Sequence, residues 1–252
     1  MREMGKMGEM GKMSKTVSVL LAVFTLAGVS TLQAQTSPEK KIRFVGINVG
    51  AQPNRRTVST STSFPLYDET AKVNANHRVG SGPVVGIAGG YQIWRRLVIG
   101  AEFTTFSSKG SAQAAASIPS PLFFNQPLAV NVTVPNLERK ERAFHLSAMW
   151  FAPVTNDIDV AFSVGPSAIH VSQQLVATGS VANGTQNLTL TPKDESGTAA
   201  GVNVGFEGIY KFTPRYGGAL FVRYARGSLN LPDAQKVVAG GFQVGLGARV
   251  RF

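Results

Sequence analysis

The sequence predicts an all-β fold, an eight-stranded antiparallel up-and-down transmembrane β-barrel, and three observations lead to this prediction. Residues 242–252, at the end of the chain, alternate between apolar and small or polar side chains, which is the period of a β-strand. Similar segments recur along the chain, and the polar stretches between them are alternately long and short. Aromatic side chains fall near both ends of the outward apolar faces, as they do at the two interfaces of a membrane.

The terminal segment is the starting point of the membrane prediction. Its two faces are Phe242, Val244, Leu246, Ala248, Val250 and Phe252 on one side, and Gln243, Gly245, Gly247, Arg249 and Arg251 on the other. A face of arginine and glycine does not suit the core of a soluble sandwich, whereas lipid and a polar lumen satisfy the two faces of a transmembrane strand. An edge strand of a soluble sheet shows the same alternation, so the choice between a transmembrane strand and a soluble edge strand depends on the other segments.

The first residues predict a secretory signal peptide. An apolar run at residues 17–29 follows Lys12 and Lys15 and is too short for a transmembrane helix. We therefore divide the chain into a signal peptide at 1–34, with a predicted mis-called start before Met13, and a barrel at 35–252.

The first half of the barrel region contains three candidate strands. Residues 41–51 alternate, and a long polar stretch at 52–81 follows. Residues 83–106 then form a predicted hairpin in which Ile93 lies opposite Leu97, so that both apolar patterns share one face.

The second half supplies the other five strands. A predicted loop at 107–139 contains four prolines, which argue against regular structure. Strands at 142–152 and 158–164 place Trp150 opposite Ile158, and a third long loop covers 172–197. Strands are then predicted at 202–212 and 220–224, followed by a loop through 230–233 and the terminal strand.

The turn lengths predict an orientation. Outer-membrane barrels have short periplasmic turns and longer external loops. The sequence accordingly predicts four external loops and both termini in the periplasm of a Gram-negative-type bacterium.

The composition narrows the range of partners. The chain has a formal net charge of +11 and no cysteine, which excludes disulfides and thiol catalysis. It shows no nucleic-acid-binding signature and no basic run interleaved with aromatics, so we expect no nucleic-acid partner. The positive charge instead suits anionic lipid headgroups, lipopolysaccharide or a charged lumen.

Two stretches carry a family resemblance. Residues 90–103 and the closing residues 241–252 resemble the outer-membrane protein β-barrel domain family, the small eight-stranded barrels typified by OmpA and OmpX. The resemblance implies an integral outer-membrane protein with a structural or surface-interaction role through its external loops. It implies as partners outer-membrane lipid and lipopolysaccharide, the barrel-assembly machinery and extracellular ligands, and it makes Phe252 a candidate assembly signal. A fold does not specify an activity, so a small passive channel and a lipid A-modifying enzyme are alternatives.

The enzyme alternative depends on His145 and Ser147. Together with Asp159 downstream, they resemble the His-x-Ser pair and carboxylate of barrels that deacylate lipid A. In the predicted register His145 faces Ser163 and Asp159 faces Met149, which separates the carboxylate from the histidine by about 14 Å. That distance is too long for a catalytic triad, and we expect no enzymatic activity.

The inward face contains four charged residues that we single out as lumen charges: Glu102, Glu207, Arg223 and Arg249. If Gly208 pairs with Val222, Glu207 lies directly across from Arg223. An eight-stranded barrel is narrow enough for such side chains to fill it, so we expect a plugged lumen.

Other candidate sites are weak. The three histidines lie on separate segments without ligand spacing, and the glycines at 80–90 lack a phosphate-binding pattern, so we expect no metal and no cofactor. The apolar residues 122–124 in a predicted loop are a candidate contact surface. The rival fold is a soluble lipocalin-like carrier, which would place its large apolar residues inside.

Overall fold

The computed structural model describes residues 41–53, 56–181, 188–232 and 234–252, and the predicted signal peptide at 1–34 lies outside them. The strands are β1 Arg43–Gln52, β2 Arg56–Leu66, β3 Glu69–Val79, β4 Gly82–Trp94, β5 Leu97–Ile118, β6 Leu128–Pro153, β7 Ile158–Val181, β8 Leu188–Lys211, β9 Tyr216–Leu231 and β10 Ala234–Arg251. Within these four ranges, no helix is long and apolar enough to cross a membrane.

The strands close into a barrel. The antiparallel ring runs β1, β4, β5, β6, β7, β8, β9 and β10, and β10 pairs back with β1. The predicted eight-stranded antiparallel β-barrel is therefore confirmed. The described ends, near Arg43 and Arg251, lie at the same end of the barrel as the short turns after β4, β6 and β8.

Strands β2 and β3 continue two strands of the ring beyond the barrel and do not change the number of strands around it. Gln52 of β1 pairs with Gly82, and Arg56 of β2 pairs with Val79, so β1 followed by β2 runs antiparallel to β3 followed by β4. β3 also pairs with the upper part of β5. This long hairpin extends beyond the barrel, together with the parts of β5 to β10 that lie farthest from the short turns. We call this region the extension, and we call the direction from the short turns toward it upward.

An apolar belt surrounds the lower part of the barrel. Its side chains are large and exposed, among them Ile47 at 57%, Phe162 at 51% and Leu246 at 67%. The rings of Trp150, Phe162 and Phe206 pack against one another on neighbouring strands of this belt, with ring centroids 6.3 Å and 5.0 Å apart. A soluble carrier would bury these groups, so the lipocalin-like alternative is wrong.

The apolar face changes sides along single strands, as β5 shows. In the barrel its outward residues include Ile99 and Phe103, while Glu102 and Thr104 point inward. In the extension the inward residues of the same strand are apolar, from Ala112 to Ile118. The core of the extension is formed by Ala71, Val73, Ala75, Ala112, Ala114, Ala116, Ile118, Leu137, Val176, Leu188 and Leu190. The extension is thus built for water and the barrel for lipid.

Three predicted loops are largely strands. The stretch at 52–81 contains β2 and β3, the stretch at 107–139 contains the end of β5 and the start of β6, and most of 172–197 belongs to β7 and β8. Pro135 is accommodated because the register of β5 and β6 shifts beside it, where Asn136 adopts a positive φ of 59°. Proline lacks the N–H that a regular ladder needs, and a bulge removes that requirement.

Two predicted registers are wrong and one is confirmed along its ladder. The hairpin of β4 and β5 follows the predicted register from Val84 to Gln92, and only its last pair shifts at the turn, where Trp94 replaces Ile93 opposite Leu97. Trp150 pairs with Phe162 in place of Ile158, and Gly208 pairs with Leu220 in place of Val222. The last two shifts are by even numbers of residues, which leaves every side chain on its predicted face.

Candidate functional site

The barrel interior holds all four predicted lumen charges. Glu102, Glu207, Arg223 and Arg249 are each at most 8% exposed. The predicted pair of Glu207 with Arg223 is wrong, because the observed register places Arg223 opposite Gly205.

Each of these carboxylates has a different arginine partner. Both Arg223 amino groups donate to the two Glu102 oxygens, and Nη1 to Oε1 measures 2.9 Å. Arg249 Nη2 donates to Glu207 Oε1 at 2.8 Å. The Asn48 side chain joins the two pairs, since its Nδ2 donates to Glu102 and its Oδ1 accepts from Arg249.

Two glycines leave room for Arg249. A Cβ atom on Gly46 or on Gly247 would lie 2.6 Å from Arg249 Nη1. The sequence thus explains how a guanidinium fits into so narrow a barrel: the wall residues beside it have no side chains.

A second charged group lies at the short-turn end. Asp159 accepts from Lys211 Nζ at 3.0 Å and from Arg251 Nη1 at 2.7 Å. The ladder pairs Asp159 with Pro153 and not with Met149. His145 pairs with Ser167 in place of Ser163, so Asp159 lies about 27 Å along the ladder from the histidine.

His145 and Ser147 belong to a closed hydrogen-bond network. The His145 ring contacts Thr104 Oγ1 at 3.2 Å and Ser167 Oγ at 2.7 Å. Ser147 donates to Asn203 Oδ1 at 2.9 Å. The imidazole and the hydroxyl thus bind separate partners, and neither is arranged to act on the other.

Apolar side chains fill the interior near the short-turn end. Phe44 and Phe151 pack with ring centroids 6.1 Å apart, and Val98, Met149, Ala161, Ile209 and Ala219 complete the cluster. A cavity of about 20 Å³ lies between this cluster and the Glu102–Arg223 pair. It has room for about one water molecule and not for a file of hydrated ions.

Polar residues also close the barrel where the extension begins. Arg139 binds Glu141 at 2.7 Å and donates to the carbonyl oxygen of Val238 at 2.8 Å. The amide of Gly240 donates to Glu141 Oε2. These contacts join β6 to β10 across the interior, between the lumen and the apolar core of the extension.

His77 is buried in the extension. Its Nε2 contacts Thr60 Oγ1 at 2.9 Å, and Nδ1 is buried without a hydrogen-bond partner beside a cavity of about 10 Å³ that Ser108 and Arg139 also line. Burial lowers the pKa of His77 to about 4. The imidazole is therefore neutral near pH 7.

We expect acid to loosen the hairpin of β2 and β3 through His77. Its pKa rises from about 4 in the folded protein to the ordinary 6.5 on unfolding, so the unfolded state binds more protons and stability falls as the pH drops from 6.5 to 4. Hydrogen exchange of the hairpin amides, corrected for the intrinsic rate, should accelerate by up to about tenfold per pH unit in this window. His77→Gln should remove the effect, whereas Gln at the exposed His170 should leave it in place. Equal acceleration in the His77 variant would contradict this assignment.

The tip between β5 and β6 is exposed and apolar. Leu122, Phe123 and Phe124 are 82%, 59% and 72% exposed. Ser120 Oγ accepts from the amides of Leu122 and Phe123, and the amide of Asn125 donates to Glu69 at the neighbouring turn. The predicted contact surface is thus solvent-accessible and held by polar contacts at its base.

Sequence reasoning missed the outward face of the extension. Asn74, Asn76, Gln113 and Asn131 lie there on adjacent strands. They alternate with small apolar residues such as Ala75 and Ala114. That alternation is the sequence signal from which these strands and their outward face could have been predicted. No group of three His, Asp or Glu side chains suited to a metal ion occurs in the part of the chain that the structure describes.

Comparisons with known proteins gave structural similarities only. No family model matches the chain, and no curated protein matches it. The crystal structure of Neisserial surface protein A (NspA) is similar at 15% identity and a TM-score of 0.45, with 84% of this chain and 96% of that chain covered. The outer membrane protein OprG from Pseudomonas aeruginosa is similar at 12% identity and a TM-score of 0.41, with 84% and 96% covered.

A third similar structure is Ail, the attachment invasion locus protein of Yersinia pestis, in complex with the heparin analogue sucrose octasulfate. It shares 11% identity at a TM-score of 0.37, with 83% of this chain and 99% of that chain covered. At such values the three similarities support no conclusion about this chain, whose fold rests on its own closed ring of strands.

Proposed function

We propose that this chain is an integral outer-membrane barrel that presents its extension at the cell surface for interaction, with both termini in the periplasm. The observation that carries the proposal is the change of the apolar face along single strands such as β5, from outward in the barrel to inward in the extension. Only a strand that passes from lipid into water needs both arrangements. The proposal assigns no catalytic step to the chain.

Lipid contact at the upper edge of the belt is part of this proposal. A groove of about 250 Å³ on the outer surface is lined by apolar residues, among them Val85, and by Lys140 and Arg142. Apolar groups beside cations suit a lipid whose headgroup is anionic, such as lipopolysaccharide.

Cysteine labelling tests the orientation, because the natural chain has no cysteine. Gln126 lies at the tip of the extension and Asn156 in a short turn at the opposite end, and both are exposed. A membrane-impermeant maleimide should label Gln126→Cys in intact cells, and Asn156→Cys only after the outer membrane is permeabilised. The reverse pattern would overturn the orientation, and equal labelling of both in intact cells would overturn the outer-membrane location.

We also expect Phe252 to be needed for assembly. It is 61% exposed, and its amide donates to the carbonyl oxygen of Arg43, at the end of the barrel where the two described termini meet. Deletion of Phe252 should lower the outer-membrane yield severalfold in cells, while refolding in detergent still succeeds, because one exposed terminal side chain contributes little to stability. The matched control is Phe212→Ala, which removes a similarly exposed aromatic from a turn at the same end. A normal outer-membrane yield of the deletion variant in cells would contradict a role of Phe252 in assembly.

A further inference from the structure

One outward face of the extension is a flat array of amides and hydroxyls. Across β2, β3, β5 and β6 the ladder aligns two rows of side chains. The first row is Ser61, Asn74, Ala115 and Asn131, and the second is Ser59, Asn76, Gln113 and Thr133. We call these two rows the amide face.

The amides of this face are free to bind a ligand. Among the described residues, Asn74, Gln113 and Asn131 have no side-chain hydrogen-bond partner, and Asn76 accepts one hydrogen bond from Ser59 at 2.8 Å. Asparagine is disfavoured inside strands, and three of the four amides are asparagines that lie within strands. Folding does not require these side chains, since they point away from the apolar core.

The face contains a shallow groove. A depression of about 420 Å³ is lined by Asn74, Asn76, Gln113, Asn131 and Thr133, with Ala115 at its floor. The small alanine side chain lets a ligand approach the backbone between two asparagines. The volume is within the range of small-molecule sites.

The chemistry of the face excludes several ligand classes. It contains no aromatic residue and no arginine, which are the usual anchors of a protein interface. It contains no charge, which a nucleic acid requires, and its side chains are too polar for lipid. The nearest cations on this side of the sheet, Lys72 and Arg78, lie one pair further along the strands on either side.

We propose that the amide face binds a neutral, extended polysaccharide chain. Each primary amide offers two N–H donors and a carbonyl acceptor, which match the vicinal hydroxyls of a sugar ring. Neighbouring strands are about 4.8 Å apart, close to the length of one sugar ring along an extended chain, so successive rings can meet successive strands. The proposal rests on the proposed function, because it names the ligand class that the surface-exposed extension would take.

Titration calorimetry of the purified barrel in detergent tests the proposal, with cellohexaose and chitohexaose as neutral extended probes. We expect a Kd of about 0.1–1 mM for at least one of them. The double variant Asn74→Ala/Asn131→Ala should weaken binding at least tenfold, and Ala115→Lys, which fills the floor of the groove, should abolish it. The matched control Ser228→Lys places the same side chain at an exposed position on β9 and should bind like the unmodified protein.

Dextran sulfate distinguishes a sugar site from simple attraction of anions. Binding of dextran sulfate alone, lost in Lys72→Ala/Arg78→Ala and unaffected by the asparagine variant, would overturn the proposal. So would the absence of saturation by either neutral probe at 10 mM. The assay does not depend on cellular location, so a failure here leaves the labelling result, and with it the proposed function, unaffected.

Discussion

Replacing Glu102 with alanine is expected to lower the free energy of unfolding of the barrel by about 3–5 kcal/mol. The change leaves Arg223 buried at 7% exposure without its carboxylate, and Asn48 loses the acceptor of its Nδ2 group. An unpaired buried charge costs far more than the net contribution of the pair, which is why the loss is large. Urea unfolding in detergent micelles, followed by tryptophan fluorescence and by the shift of the folded band in electrophoresis, measures the difference.

The matched control is Glu138→Ala. Glu138 pairs with Lys140 at 3.0 Å, yet both side chains are well exposed, at 43% and 61%. A surface pair screened by water contributes little to stability, so this variant should unfold almost like the unmodified protein. Glu102→Ala/Arg223→Met should regain part of the loss, because it removes both charges. Equal stability of Glu102→Ala and Glu138→Ala would show that the lumen pair is hydrated and weak.

The faces of the strands were predictable, and the partners of the charged lumen residues were not. Outward placement of Trp150 and inward placement of Glu207 follow from alternation alone, which depends on the parity of the residue number. The partner of Glu207 depends on the length of the turn after β8 and on the shear of the whole ring, and no local pattern encodes these. The pairs Glu207–Arg249 and Glu102–Arg223 therefore had to be seen in the structure.

The extension was missed because its alternation has the opposite sense. In β3, Ala71, Val73 and Ala75 alternate with Lys72 and Asn74, but the apolar residues are small and the polar ones carry turn propensity. These segments are much less hydrophobic than the strands of the apolar belt, and segments of such low hydrophobicity are typical of loops. Their burial depends on β3, β5 and β8 meeting in one core, which is a tertiary effect.

The barrel is expected to conduct ions poorly, and Glu207→Ala is expected to raise the conductance. The filled interior, with the Phe44–Phe151 cluster beside the Glu102 and Glu207 ion pairs, leaves no continuous water path that the described residues reveal. Removal of the Glu207 side chain frees space and leaves Asn48 as the one side chain among the described residues that accepts a hydrogen bond from Arg249. An uncompensated guanidinium attracts water and anions, so the interior should hydrate and the barrel should become less stable.

Planar-bilayer recording of the purified protein measures both effects. The unmodified barrel should show little steady conductance, and the Glu207→Ala barrel should open more often and unfold at a lower temperature. The Glu138→Ala variant serves as the control, since it removes a carboxylate from the exposed surface and should record like the unmodified protein. Large, stable, porin-like steps from the unmodified barrel would contradict the filled interior and favour a passive channel, because side chains that pack an eight-stranded lumen cannot also line an open pore.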